Sequence, residues 1–418
     1  MNVKLTKKSQ LKKSVLFSAV ASALFYTSTS YAFLPSGGQV TSGSGSINVP
    51  SRGQMVVQQN SDRLVIDWQS FNVAKNYGVT FKQPGEKSIV LNRVVGNSTS
   101  SIVGNINANG QVVLVNPNGV FMKSGAKINS AGFIATTRAI DNADFMNGNL
   151  KFTATDKTNT SVVNQAAITV SNGGYVVLAA DNVTNTGRIN TPSGKTLLAA
   201  TKTVSLDLEG NGLKSYLVDG ETFNAMVRNN GQIRAANGQV NLTALGKDMA
   251  MNTVINNTGY IEASGFTRTD GNVIVNGGAS GQVNMAGQIV ANNVHGDGGN
   301  VRINGKHITL DDYNHIDVTG IKNGGSVSIG QTGTQTVKVM KMSSISASSL
   351  NAGKGGVVDI YSDGILDFRG AIDVRGGTTS GNGGLVHMKA KEYHLGEGTV
   401  DLSAPHGKEG TWIRNTAL

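Results

Sequence analysis

A repeat with a period of 28 residues restricts the fold of this chain more than any other feature of its sequence. The element Gly-x-Ile recurs along the middle of the chain, and its last three copies are spaced by that period. The four copies are Gly187-Arg188-Ile189, Gly231-Gln232-Ile233, Gly259-Tyr260-Ile261 and Gly287-Gln288-Ile289. A fixed period in this range marks a solenoid, in which each unit buries its apolar side chains against its neighbours.

Two further elements recur in the same region. Gly-x-Val followed by alternating apolar residues begins at Gly238, Gly299, Gly325 and Gly356. An apolar-Asp-apolar element occurs around Asp317, Asp373 and Asp401. Each unit therefore holds about three short strands separated by Gly or Asn corners, as one coil of a parallel β-helix requires. We predict an all-β fold, a right-handed parallel β-helix, with rungs of about 28 residues over 151–418.

Composition agrees with short strands and tight turns. Gly supplies 54 of 418 residues, whereas aromatic residues make up 6% and charged residues 15%. A helical core built on large rings and charge pairs is therefore disfavoured. None of the six prolines lies between residues 193 and 404, which is expected if every rung donates its backbone amides to its neighbours.

Residues 33–150 have a less regular spacing than the repeats. Their apolar residues alternate with polar ones, the period-2 pattern of half-buried strands. The alternating residues are Ile47, Val49, Met55, Val57, Leu64, Ile66 and Trp68. Because the first rung of a stacked sheet exposes unpaired backbone groups, it needs a cover. We predict that this region contains an N-terminal β cap.

Residues 1–32 have the pattern of a secretory signal peptide. Five lysines precede an apolar run at 15–25, and we predict cleavage after Ala32. No other stretch reaches the eighteen apolar residues of a membrane-spanning helix, so the mature protein is predicted to be exported and not integral to a membrane. The absence of cysteine fits a chain that crosses an outer membrane unfolded, and equally a core large enough to need no disulfides.

The net charge of +10 does not indicate a nucleic-acid partner. The five lysines of the signal supply half of it, and the remaining basic residues are dispersed without interleaved aromatic residues. Nucleic-acid sites instead cluster Lys and Arg on one face. We therefore predict no nucleic-acid binding.

A sharp turn interrupts the chain near residue 116. The apolar run 112–115 is stopped by Asn116-Pro117-Asn118-Gly119. Proline fixes φ and donates no amide, and Gly tolerates positive φ, so the tetrapeptide has the chemistry of a type I turn. Taken alone, such a tetrapeptide is a common turn sequence.

The sequence around this turn makes it more specific. Four motifs accompany it in order: Trp68-Gln69-Ser70-Phe71-Asn72-Val73, Leu91-Asn92-Arg93-Val94, Gly125-Ala126-Lys127-Ile128-Asn129 and Gly132-Phe133-Ile134-Ala135-Thr136-Thr137. The set resembles the secretion domain of two-partner-secretion exoproteins, the filamentous-haemagglutinin and high-molecular-weight-adhesin family of Gram-negative bacteria. The resemblance is strongest over 33–150, which it identifies as the cap and core of that domain.

The resemblance implies a route and a partner. The chain would pass the periplasm unfolded and meet a TpsB-type outer-membrane barrel transporter with periplasmic binding domains, to be secreted or held at the cell surface. The residues that this partner would read are Asn116, Pro117, Asn118, Gly119, Asn92, Arg93 and Asn72. Corner hydrogen bonding is the alternative role of these asparagines, and both roles can coexist.

For the task beyond export, haemagglutinin-like or adhesin-type binding to a host-cell receptor or glycan is the leading interpretation. The alternatives are capture of a haem carrier, the stem of a contact-dependent toxin, and a β-helix enzyme that cleaves polysaccharides. Such enzymes use paired carboxylates. The acids that would have to gather on one face with Arg369 and Arg375 are Asp311, Asp312, Asp359, Asp363, Asp367 and Asp373.

Chemistry at these acids is nevertheless disfavoured. Most of them lie beside Gly, where Asp commonly serves as a turn residue. The six histidines lack zinc-ligand spacing, and the chain has no cysteine. We predict no catalytic residue, no metal site and no cofactor.

Overall fold

In the computed structural model, which describes residues 33–247, 253–265 and 271–417, the chain winds into a right-handed parallel β-helix. Most rungs contribute one strand to each of three long sheets. Within a rung the chain passes from sheet 2 to sheet 3 and then to sheet 1. The predicted fold class is confirmed. The predicted signal peptide and the predicted cleavage site after Ala32 lie outside the described residues.

The three sheets are named here by their strands, as the described residues define them. Sheet 1 has 14 strands, Gln39–Ser42, Arg63–Trp68, Ile89–Val94, Gln111–Val115, Gly132–Thr136, Tyr175–Ala180, Lys195–Ala200, Gln239–Ala244, Asn272–Asn276, Asn300–Asn304, Ser326–Ile329, Val357–Tyr361, Leu385–Ala390 and Thr411–Thr416. Sheet 2 has 11, Ser100–Ile102, Val120–Met122, Ser161–Asn164, Asn182–Asn185, Met226–Asn229, Thr253–Asn257, Gln282–Met285, His307–Leu310, Thr336–Val339, Ile365–Phe368 and Glu392–Leu395. Sheet 3 has 14, Gly45–Ser51, Gln54–Gln59, Gly78–Lys82, Asn105–Ala108, Lys127–Ser130, Ala167–Val170, Arg188–Asn190, Gln232–Arg234, Tyr260–Glu262, Gln288–Val290, His315–Asp317, Ser344–Ser346, Ala371–Asp373 and Thr399–Asp401.

A column of isoleucines inside sheet 3 explains the Gly-x-Ile repeat. Successive rungs pair Ile with Ile in register, and every member is at most 1% exposed. The column runs through Ile106, Ile128, Ile168, Ile189, Ile233, Ile261, Ile289, Ile316, Ile345 and Ile372. Burying one such side chain contributes about 1.5–3 kcal/mol. Each added rung therefore stabilises the one before it.

The period varies where the chain makes an excursion outside the helix. Ile233, Ile261 and Ile289 follow one another at 28 residues, but Ile189 precedes Ile233 by 44. The additional residues hold the antiparallel hairpin Thr203–Glu209 and Gly212–Asp219. The repeat therefore stays in register in space although it is interrupted in sequence.

The excursions build an outer layer on sheet 1. The hairpin pairs with Leu150–Thr153 to form a three-stranded antiparallel sheet, and the helix Asn142–Asn147 lies beside it. The outward-facing side chains of sheet 1 here are apolar and pack beneath this layer. This second core contains Val65, Leu91, Val113, Ile134, Val177, Leu197, Phe145, Phe152, Val204 and Leu206.

The helix of this layer is short and capped at both ends. The Asp141 carboxylate accepts a hydrogen bond from the Asp144 amide at 2.9 Å, and Gly148 ends the helix with φ of 84°. Its Phe145 is fully buried against the outer face of sheet 1.

The first strands close the N-terminal end of the β-helix. Gln39–Ser42 pairs antiparallel with Arg63–Trp68, and Gly45–Ser51 pairs antiparallel with Gln54–Gln59. These pairs cover the starting edges of sheets 1 and 3. Parallel stacking begins directly above them, where Arg63–Trp68 pairs with Ile89–Val94. Residues 33–150 thus supply both a β cap and the first rungs.

Candidate functional site

The tetrapeptide Asn116-Pro117-Asn118-Gly119 forms the corner between a strand of sheet 1 and the next strand of sheet 2. The Gly119 amide donates to the Asn116 carbonyl oxygen at 3.0 Å. The Asn118 amide donates to the Asn116 side-chain oxygen at 2.9 Å. Gly119 has φ of 121°, which a side chain would strain, and a Cβ there would lie 3.0 Å from the Phe121 ring. The turn predicted from sequence is present.

The two asparagine side chains of this corner bind the preceding rung. Asn116 is fully buried, and its amide nitrogen donates to the Ser98 carbonyl at 3.0 Å and the Ser100 hydroxyl at 2.9 Å. The amide nitrogen of Asn118 donates to the Gly96 carbonyl at 2.9 Å, and its oxygen accepts from Lys157. Both side chains therefore fix residues 96–100, which lead from sheet 1 into the first strand of sheet 2.

Asn72 contacts the same segment from the other side. Its side-chain oxygen accepts a hydrogen bond from the Ser101 backbone amide at 2.8 Å. The structure thus brings three predicted residues, Asn72, Asn116 and Asn118, around one stretch of six residues. We name this stretch, 96–101, together with Asn72 and 116–119, the asparagine corner.

Asn92 lies inside the β-helix. It is fully buried, accepts a hydrogen bond from the Trp68 indole nitrogen at 3.0 Å and donates to the Val113 carbonyl at 3.3 Å. Its neighbours in register are Ile66 and Leu114, so it is a polar residue in an apolar column. Two motifs noted in the sequence, those of Trp68 and Asn92, are therefore joined by one hydrogen bond.

Arg93 is not part of the asparagine corner. It points outward from sheet 1, where its guanidinium forms two hydrogen bonds with the Asp67 carboxylate, both at 2.9 Å. A third nitrogen donates to the Ile140 carbonyl at 3.4 Å. Arg93 therefore connects sheet 1 with the chain that leads into the outer layer.

Sequence reasoning missed an asparagine ladder in the interior. Asn164, Asn185, Asn229 and Asn257 are all fully buried, and the side-chain amide of each of the first three donates to the side-chain oxygen of the next at 2.8 Å. The amide of Asn257 donates to the Gly259 carbonyl at 3.4 Å. Stacked amides of this kind satisfy one another from rung to rung. The available signal was an asparagine two positions before the Gly of a Gly-x-Ile element, at 185, 229 and 257.

A buried ion pair at the corner between sheets 1 and 2 was also missed. The guanidinium of Arg138 lies 2.8 Å from the Asp181 carboxylate, with side chains 1% and 3% exposed. Arg138 also donates to the Thr201 carbonyl at 2.9 and 2.7 Å. The pair therefore joins three successive rungs.

The environment of this pair keeps Asp181 ionised. Burial raises the pKa of its carboxyl group. The hydroxyl of Thr222, the charge of Arg138 and the backbone amide of Thr160 together lower this pKa by more than burial raises it, so the pKa of Asp181 lies below the ordinary value. For Arg138, burial lowers the pKa of the guanidinium, against the raising effect of Asp181.

The acids considered for catalysis do not all gather on one face, although Asp312 and Asp367 line one shallow cavity with Arg369. Asp359 lies on sheet 1, Asp367 on sheet 2 and Asp373 on sheet 3. Each is paired locally, with His387 at 3.4 Å, Arg369 at 2.8 Å and Arg375 at 2.7 Å respectively. In the part of the chain that the structure describes, no three His, Asp or Glu side chains lie close enough to hold a metal ion. No helix within the described ranges is long and apolar enough to cross a membrane.

Comparison with known proteins extends these observations. The family model of the TPS secretion domain matches residues 32–291. A solved structure, the HMW1 secretion domain from Haemophilus influenzae, has a TM-score of 0.79 and 29% sequence identity, and the match covers 91% of this chain and all of that one.

Two relatives from Haemophilus influenzae are named heme/hemopexin-binding protein. One, from strain Rd, is 34% identical over 259 residues, which is 60% of this chain and 28% of the relative. The other is 29% identical over 272 residues, covering 59% of this chain and 29% of the relative. The chain thus spans less than a third of the length of these relatives. With the family model matching well over half of its length, the chain belongs to the family of TPS secretion domains, the two-partner-secretion exoproteins, which is not an enzyme family.

Proposed function

We propose that the asparagine corner and Asn92 are read by a TpsB-type outer-membrane transporter while the chain is still unfolded. Exoproteins of this family are secreted across the outer membrane of Gram-negative bacteria and rely on such a partner. The proposal concerns which residues carry the recognition and in which state of the chain they do so.

The burial of Asn116 and Asn92 is the observation that supports recognition before folding. Both side chains are fully buried, and their hydrogen-bonding groups are already paired within the protein. A partner that reads these side chains must therefore reach them before the rungs stack. An extended segment can add a strand to a sheet edge of the partner's periplasmic domains.

Folding outside the cell would then favour export in one direction. The antiparallel cap pairs, which include Gly45–Ser51 with Gln54–Gln59, close the starting edge of the sheets. Each rung that follows buries another isoleucine of sheet 3, so returning through the pore would cost the free energy of every rung already stacked. No other energy source is required by this scheme.

A secretion assay with a matched control tests the recognition role. The double variant Asn116→Ala and Asn118→Ala removes the corner amides, and Asn185→Ala removes an equally buried amide of the ladder, away from the corner. Each variant is expressed with the transporter, and the protein in the medium and in the periplasm is measured. We expect the corner variant to lose most of its secretion and Asn185→Ala to keep it.

Two results would contradict this proposal. Normal secretion of the corner variant would remove the recognition role. An equal loss for both variants would show that secretion follows stability, which the thermal unfolding of the purified proteins measures independently.

Beyond export, we infer that the secreted protein binds a host surface in the manner of an adhesin. The resemblance of the motifs around 68–137 to the filamentous-haemagglutinin and high-molecular-weight-adhesin family supports this reading. Capture of a haem carrier is the second candidate, since two relatives are named heme/hemopexin-binding protein. Binding of the labelled protein to host cells, set beside its binding to immobilised haemopexin, separates the two: binding to cells alone supports the first and binding to haemopexin alone the second.

A further inference from the structure

A groove of about 910 Å³ runs along the edge between sheets 2 and 3, parallel to the axis of the β-helix. Its position follows from the length of the corners between these sheets. Five successive rungs turn with only two residues, at 165–166, 186–187, 230–231, 258–259 and 286–287. The rungs on either side turn with four residues, at 123–126 and 311–314. The longer corners bound the groove at both ends.

The dimensions of the groove suit an extended ligand. Neighbouring strands lie about 4.8 Å apart, so the first and last of the five rungs lie about 19 Å apart along the axis. No side chain fills the floor of the groove at four of its rungs, because Gly187, Gly231, Gly259 and Gly287 stack on one another there. A side chain would not fit at this position: a Cβ at Gly231 would lie 2.3 Å from the Gly187 carbonyl oxygen. A linear polymer fits this shape better than a compact small molecule.

The backbone of the floor offers nothing to an added peptide strand. The amides of Gly231 and Gly259 donate to carbonyls of the preceding rung at 3.1 and 3.0 Å, and their own carbonyls accept from the following rung at 2.9 and 3.0 Å. Strand addition requires a free sheet edge. Recognition in this groove must therefore use side chains.

The side chains of the walls have the chemistry of a site for acidic sugars. Lys127 and Arg188 are exposed at one end, and none of the described residues that line the groove is Asp or Glu. Glu262, just outside the lining, accepts a hydrogen bond from the Tyr260 hydroxyl at 3.2 Å. Tyr260 and Tyr313 line the other end, and the apolar face of a sugar ring can pack on an aromatic ring. The Arg234 guanidinium already lies over the Tyr260 ring, 5.8 Å from its centroid, so Tyr313 is the more accessible of the two rings. Amide and hydroxyl groups between them, such as that of Gln232, can bind sugar hydroxyls.

Tyr313 is placed unusually for its size. It is 71% exposed and has φ of 68°, a backbone conformation that bulky side chains rarely adopt. From these observations we propose that the groove binds a linear acidic polysaccharide, with Arg188 and Lys127 pairing with its carboxylates or sulfates and the tyrosines packing on its rings. This site is separate from the asparagine corner and does not depend on the transporter.

The test uses the purified secreted protein and four polymers. Heparin and polygalacturonate carry sulfates and carboxylates on a sugar chain, dextran is a neutral polysaccharide, and polyglutamate is an acidic peptide. Calorimetry or fluorescence polarisation gives the dissociation constants. We expect heparin, polygalacturonate or both to bind, and dextran and polyglutamate to bind at least about tenfold more weakly.

Three variants assign the binding to the groove. Arg188→Gln should weaken binding of the acidic polysaccharide about tenfold, the effect of losing one charge-assisted contact. Arg302→Gln, which removes the same charge from the exposed face of sheet 1, should leave it unchanged. Tyr313→Asn should weaken binding without lowering the melting temperature, because Asn tolerates positive φ.

The outcomes separate cleanly. Absence of binding to both acidic polysaccharides overturns the proposal, as does equal binding of polyglutamate, which would indicate attraction by charge alone. Equal losses in Arg188→Gln and Arg302→Gln would do the same. Secretion of Arg188→Gln is expected to be normal, so a failed secretion hypothesis and a failed groove hypothesis are distinguishable.

Discussion

The buried pair of Arg138 and Asp181 allows the most quantitative prediction from this structure. Replacing Arg138 by Met keeps much of the side-chain volume but leaves the Asp181 carboxylate, 3% exposed, without its cation. It also removes both hydrogen bonds to the Thr201 carbonyl. Breaking a buried pair by removing one partner costs about 3–5 kcal/mol. We expect Arg138→Met to lower the free energy of unfolding by that amount at pH 7.

The double variant Arg138→Met with Asp181→Asn distinguishes the origin of this loss. It removes the uncompensated charge and keeps a side-chain oxygen that can accept from the buried Thr160 amide, so about 1–2 kcal/mol of the loss should be recovered relative to Arg138→Met alone. The assay is unfolding in denaturant, with the slope compared between variants. Arg302→Met, at an exposed position, is the control for loss of an arginine. A loss below about 1 kcal/mol in Arg138→Met, or a double variant less stable than either single variant, would refute this reasoning.

Four further predictions concern the remaining contacts. Asn185→Ala should lower the free energy of unfolding by about 2–4 kcal/mol in denaturant titration, because it leaves buried amide groups of the ladder unpaired. Gly119→Ala should cost about 1–3 kcal/mol in the same titration, since φ is 121° there. Phe145→Ala should cost about 3–5 kcal/mol and speed hydrogen exchange in the hairpin at 203–219, because it empties the second core. The pKa of Asp181 is lowered in the folded protein, so its contribution to stability is present above the ordinary aspartate pKa of about 3.9 and is lost as pH falls below it. Unfolding midpoints measured from pH 7 to pH 3 should drop below about pH 4 and drop less steeply in Asp181→Asn.

The repeat predicted the fold because it reports a contact that recurs in every rung. An isoleucine that must meet another isoleucine in the next rung leaves a fixed period in the sequence, and the Gly beside it marks the corner. The outer layer left no such period. Its strands at 150–153 and 203–219 alternate like rung strands, and alternation does not tell which sheet a strand joins.

The candidate site was predictable from the sequence only where its contacts are local. The turn at 116–119 is local chemistry, so its residues were identified from the tetrapeptide. The contacts of this turn with Asn72 and with 96–101 depend on how the rungs stack, which the sequence does not show. The same holds for Arg93 and Asn92, whose side chains point to opposite sides of one strand and therefore have different partners. Arg138 and Asp181 are 43 residues apart and carry no periodic signal.

Binding of the transporter's purified periplasmic domains to the unfolded and the folded chain tests the central claim most directly. The chain is held unfolded in denaturant, diluted into the domains, and compared with the chain folded beforehand, for the wild type and for the variant Asn116→Ala with Asn118→Ala. We predict binding to the unfolded wild-type chain, with little to the folded chain and little to the unfolded variant. Equal binding to the folded chain, or undiminished binding to the unfolded variant, would contradict recognition of the asparagine corner before folding.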